Sequence, residues 1–134
     1  MMSFVMDASV ILAWILPDEV SERADAIVRS LSVTGAVAPA IWPMEIRNAL
    51  LSAERRRRID PATTQELLAI LGTHPVAIDN HIDLDRAMLL ARNHRLTLYD
   101  AAYLELATRR RLPLATLDGR LAAAAAAEGC AFTA

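Results

Sequence analysis

Short apolar runs alternate along the chain with longer segments in which apolar residues recur at helical spacing. Four of the runs are apolar almost throughout and are bounded by Gly, Pro or polar residues, which is typical of buried strands. They are residues 3–6, 36–39, 75–78 and 113–116, and residues 130–133 form a candidate fifth strand. The pattern predicts a small sheet whose strands are separated by helices.

The intervening segments predict the helices. Their expected spans are residues 10–16, 18–31, 41 to the arginine run at 55–58, 61–72, 83–94, 121–127, and a segment that starts at Asp100. Asp18, Asp60 and Asp83 stand where a capping carboxylate would accept a bond from the first helical N–H groups. Strands joined through helices pair in parallel by right-handed crossovers. We therefore predict an α/β protein with a parallel central sheet of about four or five strands and helices on both faces.

The size of the chain sets the number of domains. With 134 residues, 54% of them hydrophobic, it has the length and composition of one compact domain over residues 1–134. Cys130 is the only cysteine, so no disulfide is expected within the chain and a reducing compartment is indicated. Neither a membrane-spanning run nor a signal segment is expected from the sequence, and we predict a cytoplasmic location.

The distribution of basic residues is unusual. A formal net charge of -2 argues against a protein that coats nucleic acid through bulk positive charge. All 14 basic residues are arginines, and seven of them form the runs 55–58 and 109–111. Arginine forks match phosphate oxygens, but both runs also fall where helices are expected to end and cations meet the negative end of the helix dipole. Both interpretations stay open.

Four carboxylates have positions that would bring them to one edge of the predicted sheet. Asp7 and Asp118 follow the first and fourth strands, Glu45 lies in the first turn of one helix and Asp100 at the start of another. In an open parallel sheet, the carboxyl ends of strands and the starts of the following helices share the edge where ligands bind. Each acid alone is also explained as an ordinary helix cap or dipole partner.

Taken together, the four acids predict a metal site. Gathered at one edge in a chain without lysine, they would repel one another and raise their pKa values unless a cation lay between them. Ligands that are all oxygen favour Mg²⁺ or Mn²⁺. Such an ion activates water and stabilises charge on a phosphate, so the pattern indicates metal-assisted phosphodiester hydrolysis.

Four stretches of the sequence resemble the PIN-domain family, and within it the VapC-like toxin ribonucleases of type II toxin–antitoxin systems. They are residues 5–9 (VMDAS), 43–50 (PMEIRNAL), 98–107 (LYDAAYLELA) and 114–121 (LATLDGRL). Their order and spacing span nearly the whole chain, and no acid of the family pattern is missing.

The resemblance implies an Mg²⁺-dependent endoribonuclease that forms a homodimer and is neutralised by a cognate antitoxin whose tail enters the active site. It implies catalytic and metal-binding roles for the four acids, Asp7, Glu45, Asp100 and Asp118. Ser9, Asn48 and Thr116 would be supporting polar groups, although ordinary hydrogen bonding explains these three equally well. The RNA substrate would be a tRNA or an rRNA, and nothing in the sequence specifies which.

Other classes of protein also place an aspartate after a first strand, but most of them need residues that this chain lacks. Phosphatases that form an aspartyl-phosphate need a second acid two residues after the first, where this chain has Ser9, and a lysine, which it lacks. Phosphate-accepting receiver domains fail for the same reason. A PIN-like module that has lost activity and serves as a binding partner remains the alternative. Retention of all four acids argues against it, because a pure interaction protein gains nothing from a repulsive cluster.

Overall fold

The computed structural model describes residues 3–17 and 20–133. The elements in these residues, in chain order, are β1 (Phe4–Met6), α1 (Ala8–Ile15), α2 (Glu22–Thr34), β2 (Ala36–Pro39), α3 (Trp42–Arg55), α4 (Pro61–Leu71), β3 (Val76–Asp79), α5 (Leu84–His94), α6 (Leu98–Arg110), β4 (Leu114–Ala115) and α7 (Gly119–Ala127). None of the helices described is long and apolar enough to cross a membrane.

The four strands form one parallel sheet in the order β3-β2-β1-β4. This confirms the predicted α/β class. The predicted fifth strand at 130–133 is wrong, because only Ala131 pairs with Leu114, in an isolated bridge. The chain turns at Gly129, whose φ is 75°, and Phe132 packs on Phe4 with ring centroids 4.9 Å apart instead of extending the pairing.

Helices pack on both faces of the sheet, as predicted. Phe4 and Met6 of β1 belong to one apolar cluster, which includes residues of α1, α2, α3 and α4. Val5, which points the opposite way, belongs to a second cluster with residues of α5, α6 and α7. The strand that carries Asp7 at its end is therefore buried on both sides.

Strand β3 is less covered by helices than the rest of the sheet. It lies at the sheet edge, and its consecutive residues Ala77 and Ile78 are both exposed. Since neighbouring residues of a strand face opposite sides, neither face of β3 is fully covered. This edge leaves apolar surface open to a partner.

Several helices begin at other residues than predicted. Helix α2 begins at Glu22, and its cap is Ser21, whose Oγ accepts a hydrogen bond of 3.1 Å from the Ala24 N–H. The predicted capping residue Asp18 lies outside the described residues. Helix α6 begins at Leu98 and is capped by Thr97. Thr97 stands directly before Leu98, and threonine is also a preferred capping residue, so Asp100 is placed inside the first turn.

The other predicted caps are confirmed. Asp60 accepts a hydrogen bond of 2.7 Å from the Thr63 N–H at the start of α4, and Asp83 accepts one of 3.1 Å from the Arg86 N–H at the start of α5. The arginine runs lie at the ends of α3 and α6, as expected.

Candidate active site

The centre of the candidate site lies between β1 and β4. Met6 is in register with Ala115, and the Asp7 N–H donates to the Ala115 carbonyl over 3.0 Å. Asp7 follows Met6, and Thr116 follows Ala115. Because the two strands are parallel, both residues leave the sheet side by side at its carboxyl edge. The chain adds β2 and β3 on one side of β1 and then β4 on the other, so this is the topological switch point at which open parallel sheets bind ligands.

Asp7 is held by two hydroxyl groups. Its Oδ2 accepts hydrogen bonds of 2.8 Å from Ser9 and 2.7 Å from Thr116. Asp7 occupies the N-cap position of α1, yet its side chain makes no capping hydrogen bond there. The interpretation of Asp7 as an ordinary helix cap is wrong, because its carboxylate is turned toward β4.

Ser9 and Thr116 are themselves anchored to the backbone that leads to Asp118. Ser9 Oγ accepts from the Leu117 N–H, and Thr116 Oγ1 accepts from the Asp118 N–H, each over 3.0 Å. Asp118 Oδ1 caps α7 by accepting a hydrogen bond of 2.9 Å from the Leu121 N–H. The two hydroxyl residues thus join Asp7 to the segment that carries Asp118, and Asp118 does serve as a helix cap.

Glu45 and Asp100 enter from two other helices. Glu45 lies in the first turn of α3, and its Oε1 accepts a short hydrogen bond from the hydroxyl of Tyr103. Asp100 lies in the first turn of α6, one helical turn before Tyr103. The sequence prediction missed Tyr103. Tyr103 follows Asp100 by three residues, so the two side chains share one face of a helix, and a tyrosine hydroxyl can serve as a polar group there. This spacing was the signal in the sequence that Tyr103 faces the same site.

The charges of the four acids interact. Burial is the largest cause of the raised pKa of Asp7, Glu45 and Asp100. The charge of Asp7 further raises the pKa of Glu45 and of Asp100, and the charge of Asp118 raises that of Asp7 and of Asp100. The four predicted acids, Asp7, Glu45, Asp100 and Asp118, are thus close enough to repel one another, and we call them the acid cluster. Within the part of the chain that the structure describes, no basic side chain is among the causes of these shifts.

Asn48 is less closely involved than the other predicted residues. It is exposed on α3 and lines an open cleft of about 350 Å³ together with Ile41, Met44, Glu45 and Tyr99. The cleft is bordered by one of the four acids. Asn48 therefore flanks the acid cluster on the exposed side of α3.

The donor set fits a hydrated divalent cation better than a closed metal cage. Within residues 3–17 and 20–133, no three His, Cys, Asp or Glu side chains converge closely enough to enclose a metal ion. Mg²⁺ dehydrates reluctantly and is usually held by one or two carboxylates and several waters, so it does not require such convergence. The oxygen-only donors and the raised carboxylate pKa values both favour this type of binding.

The fold and this acid-lined edge define a known class of protein. The model of the PIN domain family matches residues 4–127, and the chain belongs to the PIN-domain family. This confirms the resemblance seen in the sequence.

The individual relatives are named as ribonucleases. The chain is 34% identical to Ribonuclease VapC3 of Pyrobaculum aerophilum, with 90% of this chain and 93% of the relative covered. It is 36% identical to Ribonuclease VapC1 of Mycobacterium tuberculosis, with 80% of this chain and 91% of the relative covered. Among solved structures, the crystal structure of PAE2754 from Pyrobaculum aerophilum superposes with a TM-score of 0.73 at 25% identity, covering 92% of this chain and 84% of the other.

Proposed function

We propose that this protein is a metal-dependent endoribonuclease toxin that hydrolyses RNA phosphodiester bonds with Asp7, Glu45, Asp100 and Asp118. The observation that carries the proposal is the coupling of four carboxylates at the switch point of a PIN-domain sheet, with no arginine among the groups that shift the pKa values of Asp7, Glu45 and Asp100. The similarity to two VapC ribonucleases supports RNA as the substrate.

The proposed catalytic acids differ in their burial, and this difference indicates different roles. Asp7 is only 6% exposed and is fixed by two hydroxyl groups, so it is the rigid anchor of the site. Asp118 is exposed and Asp100 is partly exposed, so they face the side from which RNA would approach. Bound Mg²⁺ or Mn²⁺ would supply an activated water and offset negative charge. Without such a cation, carboxylates and RNA phosphates would repel each other.

Two charge-removing variants test the catalytic assignment. Asp7→Asn and Asp100→Asn should abolish RNA cleavage while circular dichroism shows an intact fold, and cleavage by the wild type should stop in EDTA and return with Mg²⁺ or Mn²⁺. Asp83→Asn is the control, because Asp83 caps α5 and its side chain is not among the groups that shift the pKa values of the acid cluster. Cleavage by purified Asp7→Asn at the wild-type rate would refute the proposal.

We further propose a homodimer. Around a second cleft of about 240 Å³ the structure exposes Ile82, Leu84, Leu98 and Tyr99, and the neighbouring Ile78 on β3 is exposed as well. Apolar surface of this kind is typical of protein–protein contacts. Leu84→Glu should convert the dimer to a monomer in light-scattering measurements. A wild-type protein that is monomeric at micromolar concentration would contradict this part of the proposal.

The proposed regulator is a cognate antitoxin, with the toxin acting on tRNA or rRNA in the cytoplasm. A basic group of the antitoxin, most simply an arginine, would pair with these carboxylates and exclude the metal. Expression of this chain alone should slow growth of a host, and the antitoxin should restore it. Normal growth with abundant folded protein would favour the alternative, an inactive binding module.

A further inference from the structure

Tyr103 is the largest fully buried side chain among the described residues, and its ring packs in the apolar cluster of α5, α6 and α7. A buried tyrosine hydroxyl needs a polar partner. Here the partner is Oε1 of Glu45, on a helix that belongs to the opposite apolar cluster. The hydrogen bond therefore ties an acid of α3 to the rigid interior of α6.

The type of donor matters for what Glu45 can do. An arginine beside Glu45 would supply a positive charge and compete with a metal ion, whereas a phenol holds the carboxylate without neutralising it. Oε1 of Glu45 accepts the hydrogen bond from Tyr103 and keeps a second lone pair, and no hydrogen bond to Oε2 is found among the residues described. The position of Oε1 is thus fixed by a neutral donor, whereas Oε2 is not held in this way.

We infer that Tyr103 is a positioning residue that, by donating to Oε1 of Glu45, disfavours chelation of one ion by both oxygens of this carboxylate, and so makes the site prefer Mg²⁺ or Mn²⁺ over Ca²⁺. The inference rests on the proposed function, since it assumes that the acid cluster binds a divalent cation. Ca²⁺ takes six to eight oxygen ligands and often uses both oxygens of one carboxylate, whereas Mg²⁺ requires near-octahedral geometry. A carboxylate with one oxygen held by a hydrogen bond suits the second type of ion.

The test measures metal binding in the absence of RNA. Isothermal titration of Mn²⁺ and of Ca²⁺ into wild type and Tyr103→Phe compares sites that differ by one hydroxyl group. We expect Tyr103→Phe to bind Mn²⁺ about 10-fold more weakly, as is usual when a group that orients a metal ligand is removed. Ca²⁺ binding should be unchanged or tighter, because chelation by both oxygens of Glu45 is then no longer disfavoured.

Thr64→Val is the matched control. Thr64 is also a buried hydroxyl residue and donates a hydrogen bond of 2.6 Å to a glutamate, Glu54, outside the acid cluster. This variant loses a similar bond and should keep the wild-type ratio of Mn²⁺ to Ca²⁺ affinity.

The outcomes separate this inference from the proposed function. If the wild type binds neither Mn²⁺ nor Mg²⁺, both are overturned. If the wild type binds Mn²⁺ and folded Tyr103→Phe has the same Mn²⁺ to Ca²⁺ ratio, only the role of Tyr103 is overturned. Should Tyr103→Phe fail to fold, Glu45→Gln takes its place: unchanged Mn²⁺ affinity in that variant means that Glu45 offers no oxygen and also overturns the inference.

Discussion

Asp7 and Glu105 are both buried carboxylates, but only Glu105 is neutralised by a neighbouring cation. Glu105, on α6, is fully buried and accepts hydrogen bonds of 2.8 and 3.1 Å from Nε of Arg109. Asp7 is 6% exposed, and its side-chain partners are the hydroxyl groups of Ser9 and Thr116. One carboxylate has a cation in contact with it, and the other has only neutral donors.

The surroundings extend this contrast. Arg109 also forms a two-point contact with Asp79 at the end of β3, over 3.1 and 3.2 Å, and Arg110 approaches the same carboxylate. Hydrogen bonding by Arg109 lowers the pKa of Asp79. We call Glu105, Arg109, Asp79 and Arg110 the charge network. The charge network is satisfied by the chain itself.

The repulsion within the acid cluster does not arise from a shortage of basic residues in the chain. The chain has 14 arginines, and two of them contact Asp79 at the end of β3, in the same sheet. Asp7, Glu45 and Asp100 instead keep raised pKa values, and no arginine is among the groups that shift them. Such an arrangement costs stability and is typical of sites that bind a ligand of opposite charge.

Breaking the charge network should have the largest effect on stability. Arg109→Met leaves Glu105 buried without its cation and should lower the free energy of unfolding by about 3 kcal/mol, measured by urea denaturation. Arg56→Met, at the end of α3, is the control and should change stability by less than about 0.5 kcal/mol. Equal effects of the two substitutions would show that the charge network contributes no more than a surface arginine.

Adding the missing cation should stabilise the acid cluster. With an affinity on the order of 1 mM, about 10 mM Mg²⁺ should add roughly 1.4 kcal/mol, or about 5 °C in Tm. The cause is preferential binding of the ion to the folded state. Asp83→Asn should show the wild-type response and Asp7→Asn a smaller one. Identical Mg²⁺ shifts in wild type, Asp7→Asn and Asp83→Asn would place the ion elsewhere.

Removing one charge from the acid cluster should stabilise the metal-free protein. Asp7→Asn relieves both the burial of a charge and its repulsion of Glu45 and Asp100, and an amide oxygen still accepts hydrogen bonds from Ser9 and Thr116. We expect a gain of roughly 1 kcal/mol near neutral pH in EDTA. A clear loss of stability in this variant would indicate that the repulsion is smaller than the packing change.

The acids with raised pKa values and Asp79, whose pKa is lowered, should affect stability with opposite dependence on pH. The free energy of unfolding should change with slopes on the order of 0.5 kcal/mol per pH unit. Folding raises the pKa of Asp7 and Asp100 above 3.8 and that of Glu45 above 4.5, so their stabilising contribution is present at low pH and is lost as pH rises through the raised values. Folding lowers the pKa of Asp79, whose contribution is present above 3.8 and is lost as pH falls.

Difference measurements separate these two responses. Unfolding of the metal-free protein at several pH values should show a smaller loss with rising pH in Asp7→Asn, and a smaller loss with falling pH in Asp79→Asn. Profiles of both variants that run parallel to the wild type would contradict the assignment of opposite signs.

Most of the secondary structure was predictable because it is encoded locally. The strand over 36–39 and the caps at Asp60 and Asp83 follow from a few neighbouring residues and agree with the structure. The start of α6 was misplaced because Thr97 and Asp100 are both good capping residues, and only the folded backbone chooses between them. The strand at 130–133 failed because Phe132 finds its partner in Phe4, a contact with no local signal.

The candidate site was only partly predictable. The positions of Asp7 and Asp118 after strands and of Glu45 and Asp100 near helix starts are visible in the sequence, so the convergence of the four acids at one edge could be expected. The neutral donors were harder to assign. That Ser9 and Thr116 share one oxygen of Asp7, and that Tyr103 holds Glu45, depends on side chains far apart in the chain.

The sequence by itself determined the alternation of strands and helices and the ends of β1 and β2, because periodicity and capping act over a few residues. Only the tertiary structure decided that β4 lies beside β1, which creates the switch point next to Asp7. It also decided which carboxylates receive a cation, since Arg109 reaches Asp79 across 30 residues of sequence. Both outcomes depend on how whole helices pack on the sheet, which no local pattern specifies.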